Sequence, residues 1–371
     1  MSELPPIVVL LGGPSAEHDV SVVSGTAIAE ALSTVGHPVE QVVIDLDGAW
    51  WWLPAGHGRD GRPASAYDDP ASLGSPGPLS VGAAIDRLAA ARPAPVVFIA
   101  LHGPFGEDGT VQALLEAAGI AYTGSGVAAS AIGMDKTLFK RLCRGIGLPV
   151  VDWREIRADR WAVDPESVRA ELAAFGASAP DPRLMVKPAR HGSSVGMTLV
   201  HDASELHGAL EEAFRHDTLA LAETYLAGAR DLEVAVLGSG GALELFGPGE
   251  IVSGHEFYDY AAKYTAGLSK TSTSAEVTGT QRATLRKIAR DAYRAIGAEA
   301  FARVDFLLVG DRIVLSEINT IPGFTPISLF PTMPAEAGYS FEDVCVRIVD
   351  LARERHAGRA GRRLAPADLL R

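Results

Sequence analysis

Four polar side chains at alternating positions could do chemistry: Arg303 and Asp305 in RVDFLLV, and Glu317 and Asn319 in VLSEIN. The two segments flank Gly310-Asp311 and read as short strands around a turn. Successive side chains on a strand point to opposite faces, so Arg303 shares a face with Asp305, and Glu317 with Asn319. Asp305 then faces Glu317, and Arg303 faces Asn319, only if the turn holds an odd number of residues, such as Gly310-Asp311-Arg312, or if a bulge adds one. In that register the carboxylates stand with Cβ atoms about 5 Å apart. They repel unless one or two hard cations bridge them, and Asn319 adds a neutral oxygen ligand. An oxygen-only donor set beside an arginine suggests magnesium carrying phosphate. A hairpin with its polar side in water is the plainer alternative. Val304, Phe306 and Ile318 make the other face apolar and the loop IPGFTP follows directly, which favours a site.

The rest of the chain must position these residues. Its 371 residues suffice for two or three domains with substantial cores. A hydrophobic share of 47% and a charged share of 21% describe an ordinary soluble globular protein. A net charge of −13 argues against a nucleic-acid surface but leaves room for a local basic pocket. Cys143 and Cys345 lie far apart without metal spacing, which predicts a reduced, disulfide-free cytoplasmic protein. No signal peptide and no membrane-spanning apolar run are read in the sequence.

IVVLL (Ile7 to Leu11), a Gly12-Gly13 turn, a helical pattern from Asp19 to about Val35 and a strand from Val39 to Ile44 make a βαβ unit of a parallel sheet. Glu17, His18 and Ser21 surround the turn, and His18 also fits a helix-capping surface group. The glycines lack the third member that a dinucleotide fingerprint needs. Trp50 to Pro78 reads as an irregular excursion with a small apolar cluster. PVVFIAL (Pro95 to Leu101) is a buried strand ending in HGPFGEDG, and such loops are where α/β sheets place ligands. Glu107 and Asp108 are expected to hold this loop and the next helix. No GxxxxGK[ST] occurs, so any ATP is held without a P-loop. Lys136 opens a helix running to about Gly147, and Lys187 ends a strand from Leu184. Each alone fits a surface charge. The loop ARHGSSVGMT after Lys187 can close backbone N–H groups over phosphate, or form a simple hairpin turn. A helix is expected over His201 to Arg215 and a strand over Leu219 to Thr224. Glu256 to Val277 shows no convincing period and reads as a lid loop. Gly279 to Gly297 is an amphipathic helix, and Ser340 to Arg355 closes the fold ahead of a loose tail.

GGPSAEHDVSVVSG, HGPFGEDG, YTGSGVAASAIGMDK, ARHGSSVGMT and RVDFLLVGDRIVLSEINTIPGFT together resemble the D-alanine–D-alanine ligases of the ATP-grasp superfamily, in the same order from Gly12 to Leu329. The resemblance implies an α/β architecture of an N-terminal parallel-sheet domain (residues 1–130) and two ATP-grasp lobes (131–228 and 229–371) with nucleotide between them. It implies ATP with magnesium, or manganese in its place, as a pair of ions on Asp305, Glu317 and Asn319, bridging β- and γ-phosphates. Glu17 would hold the first D-alanine's ammonium, with His102 nearby. Ser193 would link Glu17 to Tyr264. Lys136 and Lys187 would meet the α- and β-phosphates, and Lys263 the γ-phosphate. Glu223 would accept from the adenine amine, Tyr225 would shape the base pocket and Leu226 would offer a backbone contact. Asp231 stands where the family has a ribose-binding glutamate, one methylene longer. Arg303 and the Gly323 N–H would hold an oxyanion, and Ser328 and Leu329 the second D-alanine's carboxylate. The stretch near Ser274 lacks the family's usual proline. The implied reaction is formation of D-alanyl-D-alanine through an acyl phosphate, for cell-wall precursors, by a cytoplasmic homodimer with no nucleic-acid or membrane partner.

Overall fold

The structure is a computed structural model that describes residues 4–253 and 269–360. Its three sheets follow one another along the chain. The first has the order β4-β3-β2-β1-β5-β6, from β1 (Ile7–Gly12), β2 (Val39–Ile44), β3 (Trp50–Trp52), β4 (Pro78–Leu79), β5 (Val96–Ile99) and β6 (Ala121–Tyr122). β2, β1, β5 and β6 run parallel, as the βαβ pattern predicts. The tryptophan run is not irregular: β3 pairs antiparallel with β2 and carries β4. Trp50 and Trp52 are buried there, while Trp51 between them donates its indole N–H to Asp45. That alternation is the period-two signal of a strand, masked in the sequence by three identical residues.

The second sheet is antiparallel, in the order β7-β10-β8-β9: β7 (Trp153–Arg157), β8 (Leu184–Pro188), β9 (Thr198–Val200) and β10 (Leu219–Thr224). Helices Pro165–Ala177 and Leu206–Phe214 cover it through Val168, Leu172, Leu206 and Leu210. The second of these starts later than expected, because His201 to Glu205 form turns after β9.

The third sheet is also antiparallel, in the order β13-β12-β11-β14-β15: β11 (Arg230–Ser239), β12 (Ala242–Ser253), β13 (Ser269–Ser272), β14 (Phe301–Val309) and β15 (Arg312–Asn319). β13 lies in the stretch expected to be an unpatterned loop; pairing with β12, rather than its own polar sequence SKTS, makes it a strand. Helix Gly279–Ala295 begins in a Thr278–Gln281 capping box and buries Leu285, Ile288 and Ala292 against this sheet. The last helix, Phe341–Ala360, runs five residues past the expected end at Arg355. It returns to the first unit: Val344 and Ile348 join a core with Ile7, Val9 and Val96. Arg355 supplies a polar tie, donating to the carbonyls of Tyr122 and Gly124.

Candidate active site

A cleft of about 1170 Å³ is lined by residues of all three units. At its base is the β14–β15 hairpin. Arg303 pairs with Asn319, and Asp305 with Glu317. Gly310 and Asp311 alone form the turn, since Val309 already pairs with Arg312. The odd residue is therefore a bulge: Phe306 pairs with Leu315 and Asp305 with Glu317, leaving Ser316 extra. Along β14 the burial alternates, with Val304, Phe306 and Leu308 buried and Arg303 and Asp305 partly open to the cleft.

Asp305 accepts from Arg303 Nε and Nη2, both at 2.7 Å, and from Asn319 Nδ2 at 2.9 Å. Arg303 Nε also lies 3.2 Å from Glu233 Oε1. Burial discourages the charge on Arg303, but Asp305 and Glu233 outweigh it and hold its pKa well above the usual guanidinium range. Glu317 lies 3.4 Å from Lys136 Nζ. Two carboxylates and an amide oxygen on one face suit a hard divalent cation that fills its remaining positions with phosphate and water.

The lysines line the same cleft. Asp135 caps the helix Lys136–Gly145 through the N–H groups of Thr137 and Leu138. This anchors Lys136, whose Nζ donates to the His191 carbonyl at 2.7 Å. Lys187 on β8 and Glu223 on β10 are diagonal neighbours on one sheet face, with Nζ 2.8 Å from Glu223 Oε2. Burial works against both charges; Glu223 and Glu317 outweigh it at Lys187 and raise its pKa, and Lys140 and Lys187 outweigh it at Glu223 and lower its pKa. Tyr225, Leu226 and Asp231 continue the lining. The Arg183 guanidinium sits 4.4 Å from the Tyr225 ring centroid and fixes one face of it.

The end of the cleft nearest the first sheet is built on loops after β1 and β5, at the carboxyl ends of parallel strands. Glu17 stands between two glycines: a Cβ on Gly192 would come within 2.5 Å of its Oε2, and one on Gly103 within 2.8 Å. Ser193 donates its hydroxyl to Glu17 Oε1. His102 is buried, with Nδ1 3.1 Å from the Ile321 carbonyl and Nε2 3.1 Å from Ser24 Oγ. Burial opposes a charge on His102, but Glu107 and Glu17 outweigh it and raise its pKa. Glu107 and Asp108 accept from the N–H groups of Gly103, Phe105 and Thr110 and so hold the loop. Gly323, Ser328 and Leu329 line the same end. Ser328 Oγ accepts from the Thr325 N–H at 3.1 Å, which folds TPIS into a turn.

His18 is not a surface cap. It is 5% exposed, and its Nδ1 donates to the Gly13 carbonyl at 2.9 Å, inside the β1 loop. Lys263 and Tyr264 lie outside the described residues. Two charged residues were not read from the sequence as part of the site. Glu233 follows Asp231 by two on β11 and so shares its face; that spacing was the available signal. Lys140 follows Lys136 by one helical turn and reaches Glu223.

Family models for the "D-ala D-ala ligase N-terminus" and "D-ala D-ala ligase C-terminus" match residues 6–125 and 142–350. The D-alanine–D-alanine ligase of Kineococcus radiotolerans is 39% identical over 95% of this chain and 98% of its own length. That of a Mycobacterium species (strain KMS) is 40% identical over 95% and 97%. Among solved structures, the D-alanine-D-alanine ligase from Coxiella burnetii superposes with a TM-score of 0.77 at 30% identity, covering 96% of this chain and 97% of that one. The VanG D-Ala:D-Ser ligase from Enterococcus faecalis gives 0.79 at 30% identity, covering 94% and 100%. With both family models matched across most of the chain and a cleft walled by two antiparallel sheets, the protein has the ATP-grasp fold and belongs to the D-alanine–D-alanine ligase family.

Proposed function

We propose that the cleft joins two D-alanine molecules into D-alanyl-D-alanine at the expense of ATP, through an acyl phosphate, in cytoplasmic synthesis of peptidoglycan precursors. The observation that carries this reading is the hairpin register that sets Arg303, Asp305, Glu317 and Asn319 on one face of a cleft that Lys136 and Lys187 also line, with Lys136 3.4 Å from Glu317. Asp305, Glu317 and Asn319 would hold magnesium, or manganese, as a pair of ions. Bound there, the metal would neutralise phosphate charge.

Glu223 accepts from the adenine amine, Tyr225 and Leu226 enclose the base, and Asp231 meets the ribose, through a water if its shorter side chain needs one. Lys136 and Lys187 turn to the α- and β-phosphates as point charges. Glu17 takes the ammonium of the first D-alanine, with Ser193 fixing the carboxylate and His102 closing that end. A carboxylate oxygen of this D-alanine attacks the γ-phosphorus, and ADP leaves. The amine of the second D-alanine then loses a proton and attacks the acyl carbon, with Ser328 and Leu329 holding its carboxylate. Arg303 and the Gly323 N–H take up the developing oxyanion, and phosphate leaves. Lys263 and Tyr264 complete the γ-phosphate and substrate contacts from the lid, which keeps water from the acyl phosphate.

We also assign three functional units, residues 1–130, 131–228 and 229–371, and a homodimer, which light scattering of the purified protein tests. The decisive assay is D-alanine-dependent phosphate release from ATP with the product identified by mass spectrometry, D-lactate and D-serine being offered as competitors. Dipeptide of D-alanine is the expected main product at neutral to mildly alkaline pH. Phosphate release unaffected by D-alanine, or a depsipeptide as main product, would overturn the assignment.

A further inference from the structure

Lys140 has no part in the scheme above, yet it is 0% exposed. Its Nζ lies 2.9 Å from Glu223 Oε1, while Lys187 Nζ lies 2.8 Å from Oε2. Lys187 and Glu223 line the cleft, whereas Lys140 does not and reaches the carboxylate from behind. A fully buried lysine is rare without a partner that needs it. Here the partner is the residue placed against the adenine amine.

We propose that Lys140 is a positioning residue for base selection: it pins Glu223 Oε1, so that Oε2 stays an acceptor-only group for the exocyclic amine of adenine once Lys187 turns to phosphate. The inference rests on the nucleotide reading of this cleft. An ionised carboxylate accepts hydrogen bonds and cannot donate. Guanine presents a carbonyl at the same place, and two facing acceptors would both go unpaired. The residues directly across from Glu223 on its sheet, Trp153 and Met185, bring no charge to it, which leaves only the diagonal Lys187 on that face. The charges around it are Lys140 and Lys187, with Glu317 farther off and the Cys143 thiol beside Lys140. Burial alone favours a protonated Glu223, and the two lysines reverse this. Burial lowers the Lys140 pKa and Glu223 opposes that; with Lys187 engaged elsewhere, Lys140 is the cation left against the carboxylate, 2.9 Å from Oε1.

The test compares kcat/KM for ATP and GTP, and calorimetric binding of each, in the wild type, Lys140→Met, Lys140→Arg and Glu223→Gln. The wild type should favour ATP. Lys140→Met should lower the ATP:GTP ratio by about tenfold or more, chiefly through the two KM values and less through kcat with ATP. Lys140→Arg should restore most of the ratio. Adding Lys140→Met to Glu223→Gln should change it no further, since an amide has no acceptor-only state to protect. A merely structural lysine would lower both nucleotides' rates together and leave their ratio unchanged. A folded Lys140→Met protein with the wild-type ratio therefore overturns the proposal. If that variant fails to fold, Lys140→Gln carries the same comparison, and a wild-type ratio there is equally fatal. If the wild type binds no ATP, or Lys136→Ala leaves ATP affinity unchanged, the nucleotide reading of the cleft fails and the role of Lys140 falls with it.

Discussion

The Ser193 hydroxyl donates to the Glu17 carboxylate, joining two loops 176 residues apart in sequence. Ser193 and Ser194 both hold positive φ, at 51° and 59°. For a residue with a Cβ this costs about 1–2 kcal/mol each. Two strained residues in a row, the first of them bonded to a carboxylate between Gly192 and Gly103, are what a site fixed before substrate arrives requires. Ser193→Ala and Ser193→Gly both remove the hydroxyl, and both should raise KM for the first D-alanine about tenfold or more while leaving ATP affinity near normal. They should differ in stability: glycine relieves the positive φ and should melt higher than alanine, by about 1 kcal/mol in a thermal or denaturant series. An alanine variant with unchanged D-alanine kinetics would remove Ser193 from the site.

Asp305, the proposed metal ligand, is held in place by protein partners. Arg303 grips both its oxygens, and Glu233 stands by as the arginine's second partner. Asp305→Asn removes a charge and keeps the shape, and Glu233 still neutralises Arg303. The fold should therefore survive while D-alanine-dependent phosphate release falls by orders of magnitude. Near-normal turnover of this variant at low magnesium would show that Asp305 is not a ligand.

Acid should loosen the loop that carries Ser193. Arg190, three residues before it, donates Nε to Asp217 at 3.0 Å, and Asp217 also accepts the N–H groups of Arg190 and Leu219. Burial alone would raise the Asp217 pKa, but Arg190 and these N–H groups bring it below the usual value. A depressed pKa means stability that is fully present above the unfolded-state value of about 3.9 and is lost as pH falls through the lower folded-state value. Asp217→Asn should be less stable at neutral pH by about 1–3 kcal/mol. Its stability should also fall less steeply than the wild type's below about pH 4. Parallel acid limbs in the two proteins would assign that loss to other carboxylates.

Much of this site was legible because its residues keep the parity of their strands. Arg303, Asp305, Glu317 and Asn319 announce two faces, and the apolar Val304, Phe306 and Ile318 say which face is dry. The choice between a longer turn and a bulge was not legible, because both satisfy the same parity. Lys140 and Glu233 were missed for a related reason: a charged residue in an exposed-looking pattern is ordinary, and only the tertiary neighbours Glu223 and Arg303 show that each is buried beside a partner. β13 was invisible because its partner strand, not its composition, makes it a strand.

The bulge gives that parity argument a direct test. Deleting Ser316 removes the extra residue and lets Glu317 follow Leu315 in a regular ladder. Glu317 would still face Asp305, and Asn319 would still face Arg303, because no side chain of the site changes face. Deleting Ile318 instead places Asn319 directly after Glu317 and turns its amide into the slot where Ile318 is 2% exposed. That change removes a core side chain, at about 2–5 kcal/mol. It also buries an amide among Leu315, Val304 and their neighbours, at about 1–3 kcal/mol more. The expected order is therefore a folded, weakened but magnesium-dependent enzyme without Ser316, and an unstable, inactive protein without Ile318. Melting curves and D-alanine-dependent phosphate release on the two deletions would check it. Equal loss in both would mean that the bend introduced by the bulge, and not the facing of Asp305 and Glu317, is what the site depends on.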